Sequence, residues 1–319
     1  MIVWILLIIL GFILLIKGAD LLVDGASNIA KKFHIPEIII GLTIVSIGTS
    51  LPELFVSITS AIDGYPDMAI GNVVGSNIAN MLLILGMSAI IKSIAFKKET
   101  RLIEIPICLG VSIVFMILCN IGQDITRIDA GILLTLFVAF IIYTIVMAFK
   151  GNEFEKNEEE TEQIEDKTNE STIKNIIYII LGIVLLKLGG DFTVDNAVNV
   201  AKFFNLSEKL ISVTILAVGT SLPELVTSVS AAIKGKSDIA IGNIIGSNIF
   251  NMLFIIGTSA LIKPIVYNLS YNVDMVFAIL ATLILALFPI IPPKNKMTRT
   301  NGIIYVIIYI VYLVTLFIK

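Results

Sequence analysis

The hexapeptide Gly48-Thr49-Ser50-Leu51-Pro52-Glu53 recurs unchanged as Gly219-Thr220-Ser221-Leu222-Pro223-Glu224. Each copy lies inside a long apolar run, where a carboxylate is costly and marks a functional site by default. At about 3.6 residues per turn, Ser46, Thr49, Ser50, Glu53 and Ser57 share one helix face. Their counterparts are Ala217, Thr220, Ser221, Glu224 and Ser228. Pro52 has no N–H for the carbonyl four residues back, and its ring crowds that turn. Gly48 loosens the same turn. The helix should break there and free backbone carbonyls, which a membrane tolerates only where they line a cavity or bind something. Carboxylate, hydroxyl and free carbonyl are all oxygen, half a coordination shell for a hard cation.

The next apolar run adds Asn72, Ser76 and Asn80 at four-residue spacing, repeated as Asn243, Ser247 and Asn251. Helix–helix hydrogen bonding is the competing role for this stripe. Gly71 and Gly75, with Gly242 and Gly246, have the spacing that lets helices approach closely, and packing accounts for them as well as ligation does. Glu53 and Glu224 have no basic residue within their runs, so two facing carboxylates would repel unless a cation or protons lay between them. Calcium takes roughly 6–8 oxygens in a flexible cage, which suits this inventory. Magnesium holds its water too firmly, and soft metals want Cys or His. Sodium can use the same hydroxyls and carbonyls once calcium has left, and such competition is itself a mechanism of exchange.

The elements that carry these residues are membrane spans. The chain of 319 residues is 57% hydrophobic and 15% charged, with mean hydropathy +0.98. That is far too apolar for an ordinary soluble domain. A net charge of −3 with no basic stripe gives no case for nucleic acid. Apolar runs of ~20 residues or more occur at about 2–28, 38–62, 68–94, 102–120 and 128–149. They return at about 174–199, 210–233, 239–265, 273–291 and 302–318. Residues 2–16 have no basic leader or cleavage site and read as the start of the first span. Between the halves, Gly151 to Ser171 is acidic and without apolar periodicity, a solvated linker rather than a calcium loop. Cys108 and Cys119, ~16 Å apart on one helix, cannot bond to each other and read as small buried hydrophobes. His34 reads as a solvated loop residue. Lys17 with Asp20, and Lys187 with Asp191 and Asp195, read as local partners near an interface.

An offset of 171 positions aligns Gly11 with Gly182, Asp20 with Asp191 and Gly131 with Gly302 without a gap. Over Thr43–Ile94 against Thr214–Ile265 more than half the residues are identical, and Gly, Asn, Ser, Pro and Glu carry the match. This is an internal duplication. The expected fold is an all-α membrane protein of ten transmembrane helices, two inverted five-helix repeats with broken helices at the ion site. The repeats cover 1–149 and 173–319, with the linker at 150–172. Five spans per repeat force the second copy to enter from the opposite side. With both termini outside, the cytoplasmic loops hold Lys31, Lys32, Lys92, Lys97, Lys98, Arg101, Lys234, Lys236, Lys294, Lys296 and Arg299. The outer loops hold only Arg127, Lys202, Lys209, Lys263 and Lys319, so charge places the linker in the cytoplasm of a multi-pass cell-membrane protein. Inverted repeats frame many secondary transporters, with the site near the midplane.

Both halves carry G-T-S-x-P-E followed by G-N-x-x-G-S-N, and in this the chain resembles the sodium/calcium exchangers of the cation/calcium antiporter superfamily along essentially its whole length. The resemblance implies sodium-driven calcium movement by alternating access, with the long first and sixth spans sliding over a core of spans two, three, seven and eight. By position it assigns calcium to Glu53 and Glu224 with oxygens of Thr49 and Thr220. It assigns sodium also to Ser46, Ser50, Ser76, Asn80, Ala217 (by its carbonyl), Ser221, Ser247 and Asn251. Asn251 stands where many of these exchangers carry Asp, which argues against potassium co-transport. Gly75 and Gly246 stand where the proton-coupled branch places Glu. No cofactor is implied beyond Ca2+ and Na+ as transported ions, and a monomer can complete its own site. The alternatives are a calcium/proton antiporter and a calcium-permeable channel. An intramembrane enzyme has no Ser-His, Cys-His or metal-His constellation within the spans to support it.

Overall fold

The computed structural model describes residues 1–159, 171–204 and 217–318. In the first half, α1 (Ile2–Lys32) is followed by α2 (Glu37–Thr49) and α3 (Leu51–Asp63), a helix pair bent by 49°. Then come α4 (Met68–Ile91), α5 (Thr100–Asn120) and α6 (Arg127–Glu159). The second half has α7 (Thr172–Phe203), α8 (Ala217–Gly219), α9 (Leu222–Ile233), α10 (Ser237–Ile262), α11 (Tyr271–Leu287) and α12 (Arg299–Ile318). Among the described residues seven helices are long and apolar enough to cross a membrane, eight with α2–α3 taken as one broken span; α9 and α11 are shorter apolar helices. Residues 205–216, which would lead into α8 and α9, lie outside the described residues, as do Lys209, Lys319 and linker positions 160–170.

Burial sorts the helices into a centre and a shell. Of the apolar window of α10, 94% is buried, and of α4 72%, against 17% for α6 and 22% for α1 and α12. The shell helices turn Ile, Leu, Val and Phe outward, a surface suited to lipid. Two glycine pairs show how the halves meet. A Cβ on Gly11 would lie 2.8 Å from Gly189 O, and one on Gly18 would lie 2.9 Å from Gly182 O. The early part of α1 thus meets the late part of α7, so equivalent helices of the two halves run antiparallel, and only glycine lets their backbones touch. The same small-residue logic seats α10 on α2: a Cβ on Gly242 would come within 2.7 Å of Ile38 O.

Three expectations change. The 171-residue register does not hold to the end of the chain. Thr126 N–H caps onto Asp129 at 2.9 Å, and Thr298 N–H onto Asn301 at the same distance, so the final helices of the halves start one residue further apart. Gly131 is therefore not the structural mate of Gly302; the extra residue sits in the preceding loop, where insertions are tolerated. The linker is not irregular from its first residue, because α6 runs on to Glu159. A nucleated helix propagates through Glu and Lys at little cost. Finally, Lys187 does pair with Asp191 at 2.6 Å, but Asp20 takes Lys234 at 3.1 Å rather than Lys17 as its close partner. Cys108 and Cys119 are buried and unbonded. His34 sits in the turn after α1 with φ 53°.

Candidate cation site at the crossing of the two halves

The break falls where Pro52 requires it. Ser50 leaves helical geometry (φ −85°, ψ 10°) between α2 and α3, and Pro52 occupies the first turn of α3. Ser221 does the same (φ −89°, ψ 7°) ahead of α9, with Pro223 in its first turn. At the end of each stripe, α4 and α10 loosen into π-helical turns, Ala79–Ile84 and Asn251–Ile255, which hold Asn80 and Asn251. Such bulges are frequent at functional sites because they release carbonyls from the helical ladder.

The breaks deliver each glutamate to the other half. Ser50 Oγ donates to Glu224 Oε1 at 2.7 Å, and Ser221 Oγ faces Glu53 Oε1 at 3.4 Å. Both carboxylates are 1% exposed. Asn72 and Asn243 serve as braces. Asn72 Nδ2 donates to Glu53 O at 3.2 Å and Ser57 Oγ at 3.0 Å, while its Oδ1 faces Thr220 Oγ1 at 3.5 Å. Asn243 Nδ2 donates to Ser228 Oγ at 3.0 Å and its Oδ1 accepts from Thr49 Oγ1 at 3.1 Å.

A second crossing orients the carboxamides. Asn80 Nδ2 donates to Asn248 Oδ1, and Asn251 Nδ2 to Asn77 Oδ1, both at 3.0 Å. Asn77 and Asn248 also exchange bonds with each other's carbonyls, at 3.2 and 3.3 Å. Sequence reasoning passed over Asn77 and Asn248 as site residues; their only mark was the last letter of G-N-x-x-G-S-N. With the amide nitrogens occupied, six of the buried oxygens that have no hydrogen-bond partner belong to these motifs and the stripes beside them: Glu53 Oε2, Glu224 Oε2, Ser76 Oγ, Ser247 Oγ, Asn80 Oδ1 and Asn251 Oδ1. They form three pairs of repeat mates. Leaving such a group unsatisfied costs ~1–3 kcal/mol, more for a charged one, so six in these motifs point to a place that receives an electron-pair acceptor, a cation or protons. Among the described residues no cluster of three or more His, Cys, Asp or Glu occurs. Two carboxylates and neutral oxygens fit a hard cation.

The other expected ligands divide. Thr49, Ser50 and Ser221 are buried beside the carboxylates. Ser46 is fully buried, but its hydroxyl already donates to Leu42 O at 2.8 Å and to Thr43 O at 3.2 Å. Ala217 opens the single turn of α8, and its side chain lies outside the described residues.

Paired acids and pinned carboxamides on broken helices thus meet at the crossing of two antiparallel halves of a multi-helix membrane protein. The sodium/calcium exchanger protein family profile matches residues 3–146 and again 174–318. The chain is 38% identical to the putative antiporter CaxA of Alkalimonas amylolytica over 97% of both chains. It is 32% identical to the sodium/calcium exchanger MaX1 of Methanosarcina acetivorans over 98% of both. The solved structure of the sodium-calcium exchanger NCX_Mj superposes with a TM-score of 0.84 at 30% identity, covering 99% of each chain. The chain belongs to the sodium/calcium exchanger protein family.

Proposed function

We propose that this chain is a sodium-driven calcium antiporter working by alternating access, in which Ca2+ and Na+ compete for the oxygens around Glu53 and Glu224. The observation that carries this function is the set of six buried, partnerless oxygens in three repeat-related pairs. With backbone carbonyls freed at the breaks, they meet the oxygen number calcium requires. Two carboxylates balance one divalent ion. Sodium ions can replace it only by taking the same atoms, so the two cargoes exclude one another. The solved neighbour NCX_Mj is a sodium-calcium exchanger soaked with Na+ and Ca2+. The ligand set comprises Glu53, Glu224, Thr49 and Thr220 for calcium, extended for sodium by Ser50, Ser221, Ser76, Ser247, Asn80, Asn251, Ser46 and the Ala217 carbonyl.

The repeats span the cell membrane ten times, with both termini outside and the acidic linker in the cytoplasm, and one chain suffices. The pairs Lys97–Asp238, Lys234–Asp24 and Lys236–Glu37 then lie together on the cytoplasmic side, as the lysine bias asks. The experiment is uptake of radioactive calcium into liposomes that contain the purified protein and sodium, diluted into sodium-free buffer. A parallel set carries a pH gradient instead. Uptake that requires internal sodium is the expected result. Uptake that follows protons and ignores sodium would replace this function with calcium/proton exchange.

A further inference from the structure

The two approaches to the site differ, and the difference is one of charge. On one side a cavity of about 520 Å³ lies between α3 and α7, lined by Val56, Thr59, Asp191, Asp195 and Thr220 among others. On the repeat-related side α1 packs along α9 instead. Thr227, the mate of Val56, is fully buried there. The contact is fastened by Lys234, whose Nζ lies 2.8 Å from Asp24 Oδ1 and 3.1 Å from Asp20 Oδ1. The same Nζ donates to Asp20 O at 3.2 Å, and Ser230 Oγ donates to Asp20 Oδ1 at 2.9 Å.

The duplication shows why the cavity side has no such fastening. The mates of Asp20 and Asp24 are Asp191 and Asp195, but the mate of Lys234 is Asp63. An acid offered to two acids repels. The mate of Ser230 is Thr59, whose hydroxyl turns back onto Phe55 O and Val56 O at 2.7 and 3.0 Å. Lys187 meets Asp191 within α7 itself, so that pair does not cross the cavity.

We propose that Lys234 is a one-sided latch: by bridging Asp20 and Asp24 it holds the α1–α9 approach shut, and Asp63 denies the α7–α3 approach the same hold, so the protein rests open on the α7 side. The latch sets the resting population of an alternating-access cycle and in that sense rests on the function proposed above. It does not depend on which ion drives the cycle. A ligand or mutation shifts such an equilibrium only by what it adds to one state.

Because Cys108 and Cys119 are buried, single reporter cysteines can be read against them. V56C reports the open approach and T227C the closed one, in full-length detergent-solubilised protein with calcium chelated and sodium replaced by choline. The rate of alkylation by a water-soluble maleimide is measured. With Lys234 intact, V56C reacts fast and T227C slowly. K234Q should raise the T227C rate roughly twofold to fivefold, the range for partly exposed ion pairs, and lower the V56C rate. The exchanged pair D24K/K234D should restore slow T227C labelling, which a loss of packing alone would not allow. D63K should slow V56C by supplying the missing fastening. Unchanged rates in K234Q that elutes like the parent protein would overturn the latch, as would a rise at both reporters. No ion flux enters the readout, so a proton-coupled transporter would show the same result and a failed latch would leave the liposome test untouched.

Discussion

The ligand-bearing centre and the approaches that flank it have had different histories since the duplication. At the centre, Thr49, Ser50, Glu53, Ser76, Asn77 and Asn80 each have a repeat mate of the same type, and bonds of Ser50, Ser221, Asn80 and Asn251 cross between the halves in reciprocal pairs. One to about three helical turns further on, the mate of Val56 is Thr227, that of Thr59 is Ser230 and that of Asp63 is Lys234. A site that must present the same oxygens to either side of a membrane gains from two-fold symmetry. Direction cannot come from a symmetric centre, and the approaches are where the two halves differ in charge and packing.

Breaking the centre tests the symmetry most severely. Glu53→Gln and Glu224→Gln should each lower calcium exchange at least roughly a hundredfold, since losing one charge of a buried set costs about 3 kcal/mol or more. The two variants should match one another in liposome flux while eluting as folded protein; wild-type flux in either would remove that residue from the site. Asn77→Ala and Asn248→Ala come next. Each leaves a buried carboxamide across the two-fold unpinned, worth ~1–3 kcal/mol and roughly tenfold in calcium affinity. Calorimetric titration with calcium would show whether the paired variants agree.

Asn251→Asp sharpens the comparison differently, by making the centre unequal. It replaces the Nδ2 that donates to Asn77 Oδ1 with an acceptor, so Asn77 must reverse its amide to answer it. Calcium transport should persist with altered preference among lithium, sodium and potassium gradients, and an unaltered profile would count against Asn251 as a ligand. The smallest effect is expected for Ser46→Ala, less than about threefold in flux, because that hydroxyl is already held by Leu42 O and a surplus bond of this kind is worth ~1 kcal/mol or less. Ser46 has Ala217 as its mate, so nature has already made the substitution on the other side.

What could be read from the letters was whatever acts within a turn or two. Pro52 and Gly48 break their helix by local chemistry, and the duplicated hexapeptide announces two-fold pairing without any need for coordinates. What could not be read were choices settled across the fold. Lys17 lies one turn from Asp20 in sequence, but Lys234, 214 residues away, holds it in space. Asn77 was only the last letter of G-N-x-x-G-S-N until Asn251 came to face it. The extra residue before α12 was invisible because the 171-residue register lays Gly131 on Gly302, and only the cap residues, Thr126 with Asp129 and Thr298 with Asn301, show the shift.

The glycine contacts between α1 and α7 also bear on the efficiency of transport. At two places, Gly11 against Gly189 and Gly18 against Gly182, the backbones of the two long helices approach so closely that a Cβ on either glycine would not fit. α1 packs along α9, and α7 borders the cavity beside α3. Joined in this way, the two long helices are expected to shift together, so that in the exchange cycle proposed above the closing of one approach would accompany the opening of the other and leakage of either ion alone would be limited.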